Sequence, residues 1–433
     1  MSADEERRIA ISRIVGPPTR VIDYVNTEEG LAADEERVKA EAAEPLPEGS
    51  RWVDDGFGIS LGGPELEPLL AHTTLINVDW LVDFADRKVM PEREGVVPAW
   101  QQLPSEAIVS LTQLRQTTYG FGLPVAVLSY GWAAKHHPDP TGEQLRRMLP
   151  ALRSMKNFKN NTGYGGKVPT WGLVWDFMSL PQRGYTTKYD ADHEDRTDYQ
   201  LKRFIKGLKQ INVWYGHAYV TTLVCDWPMP AGAQNPHPID VRGWCVFERN
   251  LSSIVKNGNC FLQLSLLPAD AESMDWYDGV VQACKGARRP PLAADAFERL
   301  MRDNLESGAF KFTNGKDATN VCIPQYAEAF TRLLGTSKML YYDELGWGAA
   351  EGEQLAAALA CAQRMDTAVA AEKLFLRGNK LGTAGVRAIG KVIEAGALPR
   401  LKELDVEDNG ADDETREWIK TVARGTGCSE VDA

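Results

Sequence analysis

The chain has 433 residues, 43% of them hydrophobic and 25% charged, which is enough apolar material for two or three domains with real cores. A net charge of −12 argues against non-specific nucleic-acid binding, which depends on Lys and Arg set against phosphates. Seven scattered cysteines without a CxxC pair signal neither a zinc site nor a disulfide framework, so no metal ligand set is assigned and a reducing compartment is expected.

The opening MSADEERR is charged and has no apolar core of a secretory signal, and no stretch of about 18 apolar residues follows. No membrane span is expected, and the expected location is cytoplasmic. Residues 1–70 are rich in Glu, Asp, Ala, Pro and Gly and weakly patterned, which predicts a disordered acidic segment that buries too little to offset its ordering entropy. Residues 71–120 look more ordered and are read as an extension packing on the next domain. LINVDWLVDFA (75–85) is apolar enough to pack, and SEAIVSLTQL (105–114) predicts a helix with Ser105 as its N-cap.

Between 121 and 270 strands and helices alternate. LPVAVLSY (123–130) is a continuous apolar run, as in a strand buried on both faces. TGEQLRRMLPALRSM (141–155) is amphipathic, with Leu145, Met148, Leu149 and Leu152 on one face. TWGLVWDFMSL (170–180), HAYVTTLVCDW (217–227) and NCFLQLSLL (259–267) each hold a further strand, and DYQLKRFIKGLKQI (198–211) a further helix. The fold class expected is α/β, a parallel sheet flanked by helices. Residues 271–335, including ADAFERLMRDNL (294–305), read as a helical bridge.

Residues 336–433 carry an internal repeat. EKLFLRGNKLGTAGVRAIGKVI (372–393) superposes on KELDVEDNGADDETREWIKTV (402–422) at an offset of 30, matching Leu374 with Leu404, Leu376 with Val406 and Asn379 with Asn409. A worn copy at 339–359, offset by 34, places Leu340 on Leu374 and Gly348 on Gly382. LxLxxN followed by a helix resembles the ribonuclease-inhibitor-like leucine-rich repeat, which implies a short α/β solenoid and, as its use, docking or sensing of an unidentified protein partner.

One helix holds an anomaly. In RGWCVFERNLSS (242–253), Trp244, Phe247 and Leu251 fall on an apolar stripe continued by Ile254 and Val255, yet Glu248 lies on it too, about 40° from Trp244. An ion pair with Arg242, Arg249 or a lysine nearby is one explanation. Trp244 reads as a core anchor or a ligand stacker, and Cys245 as a small buried hydrophobe. Asp176, at the exit of the second strand, reads as a pocket residue or a turn cap. HHPDP (136–140) reads as a loop at a pocket rim rather than a metal site. NNTGYGGK (160–167) lacks the phosphate-loop pattern and reads as a connector. The aspartates 190, 192, 195 and 198 read as a solvated acidic loop.

By motif order, residues 121–270 resemble the Toll/interleukin-1-receptor (TIR) family, of flavodoxin-like sheet topology. AVLSYGW resembles its first strand and exit, VWDFMSLPQRG its second strand with Asp176, Leu180 and Gly184 in the family positions, HAYVTTLVCDW its next core strand, and RGWCVFE its Trp-x-x-x-Glu helix start. In enzymatically active members that glutamate cleaves the nicotinamide–ribose bond of NAD, which implies Glu248 as the catalytic residue and Ser129, Tyr130, Gly131 and Trp132 as pocket lining, with Asp176 and Trp244 beside them. NAD enters as substrate and no cofactor is implied. Ligands of parallel sheets bind beyond the carboxyl ends of the strands, where these residues belong, and a carboxylate there stabilises oxocarbenium character on the ribose. The resemblance also implies self-association through this domain. The loops after the second and third strands are longer than the family's and could cap the pocket or block it. Two other readings stay open: a non-enzymatic scaffold acting by self-association and protein binding, and a nucleoside deoxyribosyltransferase-like N-glycosidic enzyme.

Overall fold

The computed structural model describes residues 27–433 except 57, 94, 159–165, 185–192 and 287. Residues 1–26, most of the NNTGYGGK connector, and Asp190 and Asp192 lie outside the described residues. The chain forms two compact units: one takes in the residues up to 214 with 219–238 and 264–284, the other 215–218, 239–263 and 285–433.

The first unit is built on four strands, β1 (Ile76–Asn77), β2 (Val125–Ser129), β3 (Gly172–Val174) and β4 (Thr221–Val224). β2 is parallel to β3 on one side and to β4 on the other, and β1 runs antiparallel to β3 at the edge. All five residues of β2 are buried, as the unbroken apolar run predicts. The helix Glu143–Asn157 follows β2 and buries Leu145, Met148 and Leu152, leaving Leu149 half-exposed.

Two local expectations are corrected here. Ser105 opens only a 3-10 turn and its side chain caps nothing. The capped helix is Leu111–Leu114, where Ser110 and Gln113 bond each other's backbone in a capping box. Residues 27–70, expected to be disordered, contain the helix Thr27–Ala43 and bury Leu31, Val38, Trp52, Leu61 and Leu66. Only Gly30, Leu31 and Val38 of this helix are buried, so no apolar stripe announces it.

The second unit contains β5 (Phe261–Gln263) and the helices Gly243–Leu251, Ala294–Glu306 and Ile323–Thr336. Their shared core is aromatic. Phe247 meets Phe297 at 6.3 Å between ring centroids, Phe297 stacks on Tyr326 at 3.9 Å, and Tyr326 continues to Phe330 at 6.3 Å. This packing is why residues 121–270 do not form one block. The Gly243–Leu251 helix buries its aromatic face against elements of the expected bridge, which is itself divided at residue 284. Gly243 is required there, because a Cβ would fall 1.9 Å from the ring of Phe312.

Four parallel strands follow: β6 (Met339–Tyr341), β7 (Lys373–Phe375), β8 (Glu403–Asp405) and β9 (Glu430–Asp432). The helices Ala349–Arg364, Gly382–Glu394 and Asp413–Gly425 alternate with them. Register pairs Leu340 with Leu374, Leu374 with Leu404, and Leu404 with Val431. The first two pairings are those the sequence offsets of 34 and 30 superpose, and all three leucines are fully buried. Asn379 Nδ2 donates to the carbonyls of Tyr342 and Leu376, and its Oδ1 accepts from the amides of Leu345 and Trp347. Asn409 repeats the pattern one coil later. Asn379→Ala would strand three buried backbone groups, the Tyr342 carbonyl and the amides of Leu345 and Trp347, while Leu376 O keeps its bond from Asn409, so we expect a loss of about 3 kcal/mol in urea unfolding of the full chain. A loss under about 1 kcal/mol would mean the strand turns hold without the side chain.

Candidate functional site

In the first unit the connection from β2 leads to β3 on one side, and the chain then crosses to β4 on the other. The crevice at such a reversal, beyond the carboxyl ends of the strands, is where sheets of this kind bind ligands. Ser129 ends β2 there, fully buried, with its carbonyl accepting from Cys225 N at 2.9 Å. The next residues converge on Asp176, which opens a one-turn helix after β3. Tyr130 Oη donates to Asp176 Oδ1 at 2.5 Å, Trp132 Nε1 to Oδ2 at 3.1 Å, and Phe177 N to Oδ1 at 2.6 Å. Burial pushes the Asp176 carboxyl above its ordinary range, and these donors pull the other way. The Tyr130 ring stands edge-on to Trp175 and the Trp132 ring edge-on to Phe177. Gly131 is fixed through its carbonyl, which accepts from Gln144 Nε2.

Sequence reasoning missed the residues that hold this loop. Gln182 Nε2 donates to the carbonyls of Asp176 and Leu180, and Gln182 N donates to Gln101 Oε1 at 3.1 Å. Gln101 Nε2 donates back to the Gln182 carbonyl. Isolated glutamines 81 positions apart carry no pattern that could announce the pairing. HHPDP is a turn and a cap. Asp139 accepts from the amides of Gln144 and Leu145 at the start of the Glu143–Asn157 helix. Both ring nitrogens of His137 bond the backbone, at Val97 O and Asp139 N, and burial pushes its pKa down to about 4. With Nδ1 accepting, the proton sits on Nε2 and the ring is neutral.

Tyr130→Phe leaves the Asp176 carboxylate with one donor fewer in a desolvated position. We expect a destabilisation of about 1–3 kcal/mol in urea unfolding. An unchanged midpoint would show that the phenol contributes nothing to holding the carboxylate.

Trp244 and Glu248 belong to the second unit. Both are half-exposed on a helix whose Cys245, Val246, Phe247 and Leu251 are buried. Trp244 Nε1 donates to Asp317 Oδ2 at 3.2 Å and its ring stands edge-on to Phe247. Asp317, which sequence reasoning left in the bridge, also accepts from Asn314, and burial raises its pKa against those two bonds. The buried Cys322 thiol is pushed upward by its burial and then by the carboxylates of Asp317 and Glu248. Two acidic groups therefore act on one small region beside Trp244. Arg249 pairs with Asp240 at 2.7 Å and also donates to the carbonyls of Cys245 and Ile239.

Of the expected site residues, the structure brings Tyr130, Trp132 and Asp176 into direct contact, with Ser129 and Gly131 on the same segment. It places Trp244 and Glu248 one turn apart on one helix. A cavity of about 260 Å³ lies elsewhere, in the repeats, lined by Val406, Asp408, Asn409 and Arg416 among others. No family model matches the chain, and neither does any curated protein or solved structure.

Proposed function

We propose that the chain is a TIR-like N-glycosidic enzyme that cleaves the nicotinamide–ribose bond of NAD, by hydrolysis or cyclisation, with Glu248 as the catalytic carboxylate. The observation that carries the reading is Glu248 itself, half-exposed one turn after the half-exposed Trp244 on a helix that buries Phe247 and Leu251. As the bond to nicotinamide breaks, positive charge develops on the ribose. A carboxylate stabilises that charge, and nicotinamide departs neutral without needing a general acid. Water, or the adenine of the same nucleotide, then takes the anomeric carbon. Asp317 holds Trp244 and adds negative potential. The coils from 336 onward are leucine-rich repeats that dock a protein partner, and the protein works in the cytoplasm as a homo-oligomer. Purified full chain should release nicotinamide from NAD and leave free nucleosides intact. Nucleoside turnover without NAD turnover would select the deoxyribosyltransferase-like alternative.

A scaffold reading is favoured by one feature. Tyr341 is 37% exposed and meets Phe375 at 4.9 Å on the open side of the repeat sheet, as a protein-binding face would present them. Assembly without NAD turnover would support it.

A further inference from the structure

The helix Thr27–Ala43 is seated on the first unit in an unusual way. Of its 17 residues only Gly30, Leu31 and Val38 are buried. At about 100° per residue, Leu31 and Val38 form a narrow strip, with Asp34 on one flank and Glu28 and Glu35 on the other. Its C-terminal end is fixed by Glu41, which accepts from the amides of Leu111 and Thr112, and the surface facing its charged strip is the face of the helix Asp198–Lys209 carrying Tyr199, Lys202, Arg203 and Lys206, at spacings of three, four and seven. Each carboxylate of the strip meets a cation of that face. Glu28 pairs with Lys202, Asp34 with Arg203, and Glu35 with Lys206 at 2.8 Å. Tyr199 Oη also donates to Asp34 at 2.6 Å. Lys202 and Lys206 hold the carboxyls of Glu28 and Glu35 below their ordinary range. Arg203 has a second set of partners on its own side, the Ala71 carbonyl and Thr74 Oγ1, and lies over the Trp100 ring at 5.5 Å. The cationic face therefore stays shaped when the acidic helix leaves.

We propose that the Tyr199–Lys202–Arg203–Lys206 face is a docking site for an acidic helix, which the chain's own Thr27–Ala43 occupies and vacates. The occupant is defined by chemistry: carboxylates flanking two aliphatic residues seven apart. Salt loosens such a helix, because added ions shorten the reach of the two exposed pairs, Glu28–Lys202 and Glu35–Lys206, from about 10 Å at 0.1 M to about 3 Å at 1 M, leaving the buried Asp34–Arg203 pair to hold it. A partner's acidic helix of the same pattern displaces it.

The test uses the full chain. Amide exchange across 27–43 should accelerate about tenfold or more between low salt and about 1 M NaCl, while the helix Glu143–Asn157 keeps its protection. The double variant Asp34→Asn with Glu35→Gln should lose protection at 27–43 in low salt, because two of the three pairs are gone without any change of shape. A fluorescent synthetic peptide of residues 27–43 should then bind that variant and not the wild type. Protection at 27–43 that persists in the variant would overturn the charge-held docking. Failure of the peptide to bind a variant whose helix has loosened would overturn the exchangeable site. Equal binding to wild type and variant would show that the peptide sits elsewhere, which also overturns it.

Discussion

Lys256→Met is expected to raise the stability of the protein at pH 6 and to remove much of its dependence on pH between 7 and 10. Lys256 is fully buried, and its ammonium donates to the His217 carbonyl at 2.7 Å. Burial pushes its pKa down to about 7; Cys260 opposes that shift, and Arg288 adds a smaller push in the direction of burial. Arg288 is buried too. It donates to the carbonyls of Ser253 and Tyr341 and lies 5.0 Å from the centre of the Tyr342 ring.

The sign follows from proton counting. The unfolded lysine titrates near 10.5 and the folded one near 7, so in that window the unfolded chain binds the extra proton and stability rises with pH. Below pH 7 the charge is carried in both states and its burial cost is present in full, on the order of a few kcal/mol. Methionine fills a similar volume without the charge and gives up the bond to the His217 carbonyl. A net gain of about 1–3 kcal/mol at pH 6, shrinking toward pH 10, is the expected result of thermal unfolding scans. A variant less stable than wild type at pH 6, or a difference that does not vary with pH, would contradict it.

What the sequence disclosed depended on whether apolar pattern carried the structure. β2 was legible because all five of its residues are buried. The repeat coils were legible because Leu340, Leu374 and Leu404 occupy one register and Asn379 and Asn409 close the turns. β9 was not, since its short strand places Val431 beside Leu404 without a following asparagine and helix. The Thr27–Ala43 helix escaped because Asp34, Glu28 and Glu35 seat it on cations distant in sequence. Trp244 and Glu248 were legible as an anomaly within one helix. Asp317, 73 residues from Trp244, was not, because a long-range side-chain bond leaves no periodicity to read. The Tyr130–Asp176 contact was legible only in outline, from two strands ending at one edge of a sheet.

Substitution of Glu248 should have the larger effect on function. Glu248→Gln keeps the shape of the side chain and removes the negative charge that would face the developing oxocarbenium. Losing one group that stabilises charge formed in the transition state typically costs about 100- to 1000-fold in turnover. An interaction made only in the transition state lowers kcat and kcat/KM together and leaves KM nearly unchanged. The measurement is nicotinamide released from NAD by the purified full chain, wild type beside Glu248→Gln, with thermal unfolding confirming that both are folded. The account predicts turnover by the wild type and a loss of at least about 100-fold in the variant at similar KM. An inert wild type, or a folded variant that keeps more than about a tenth of the wild-type rate, would contradict it.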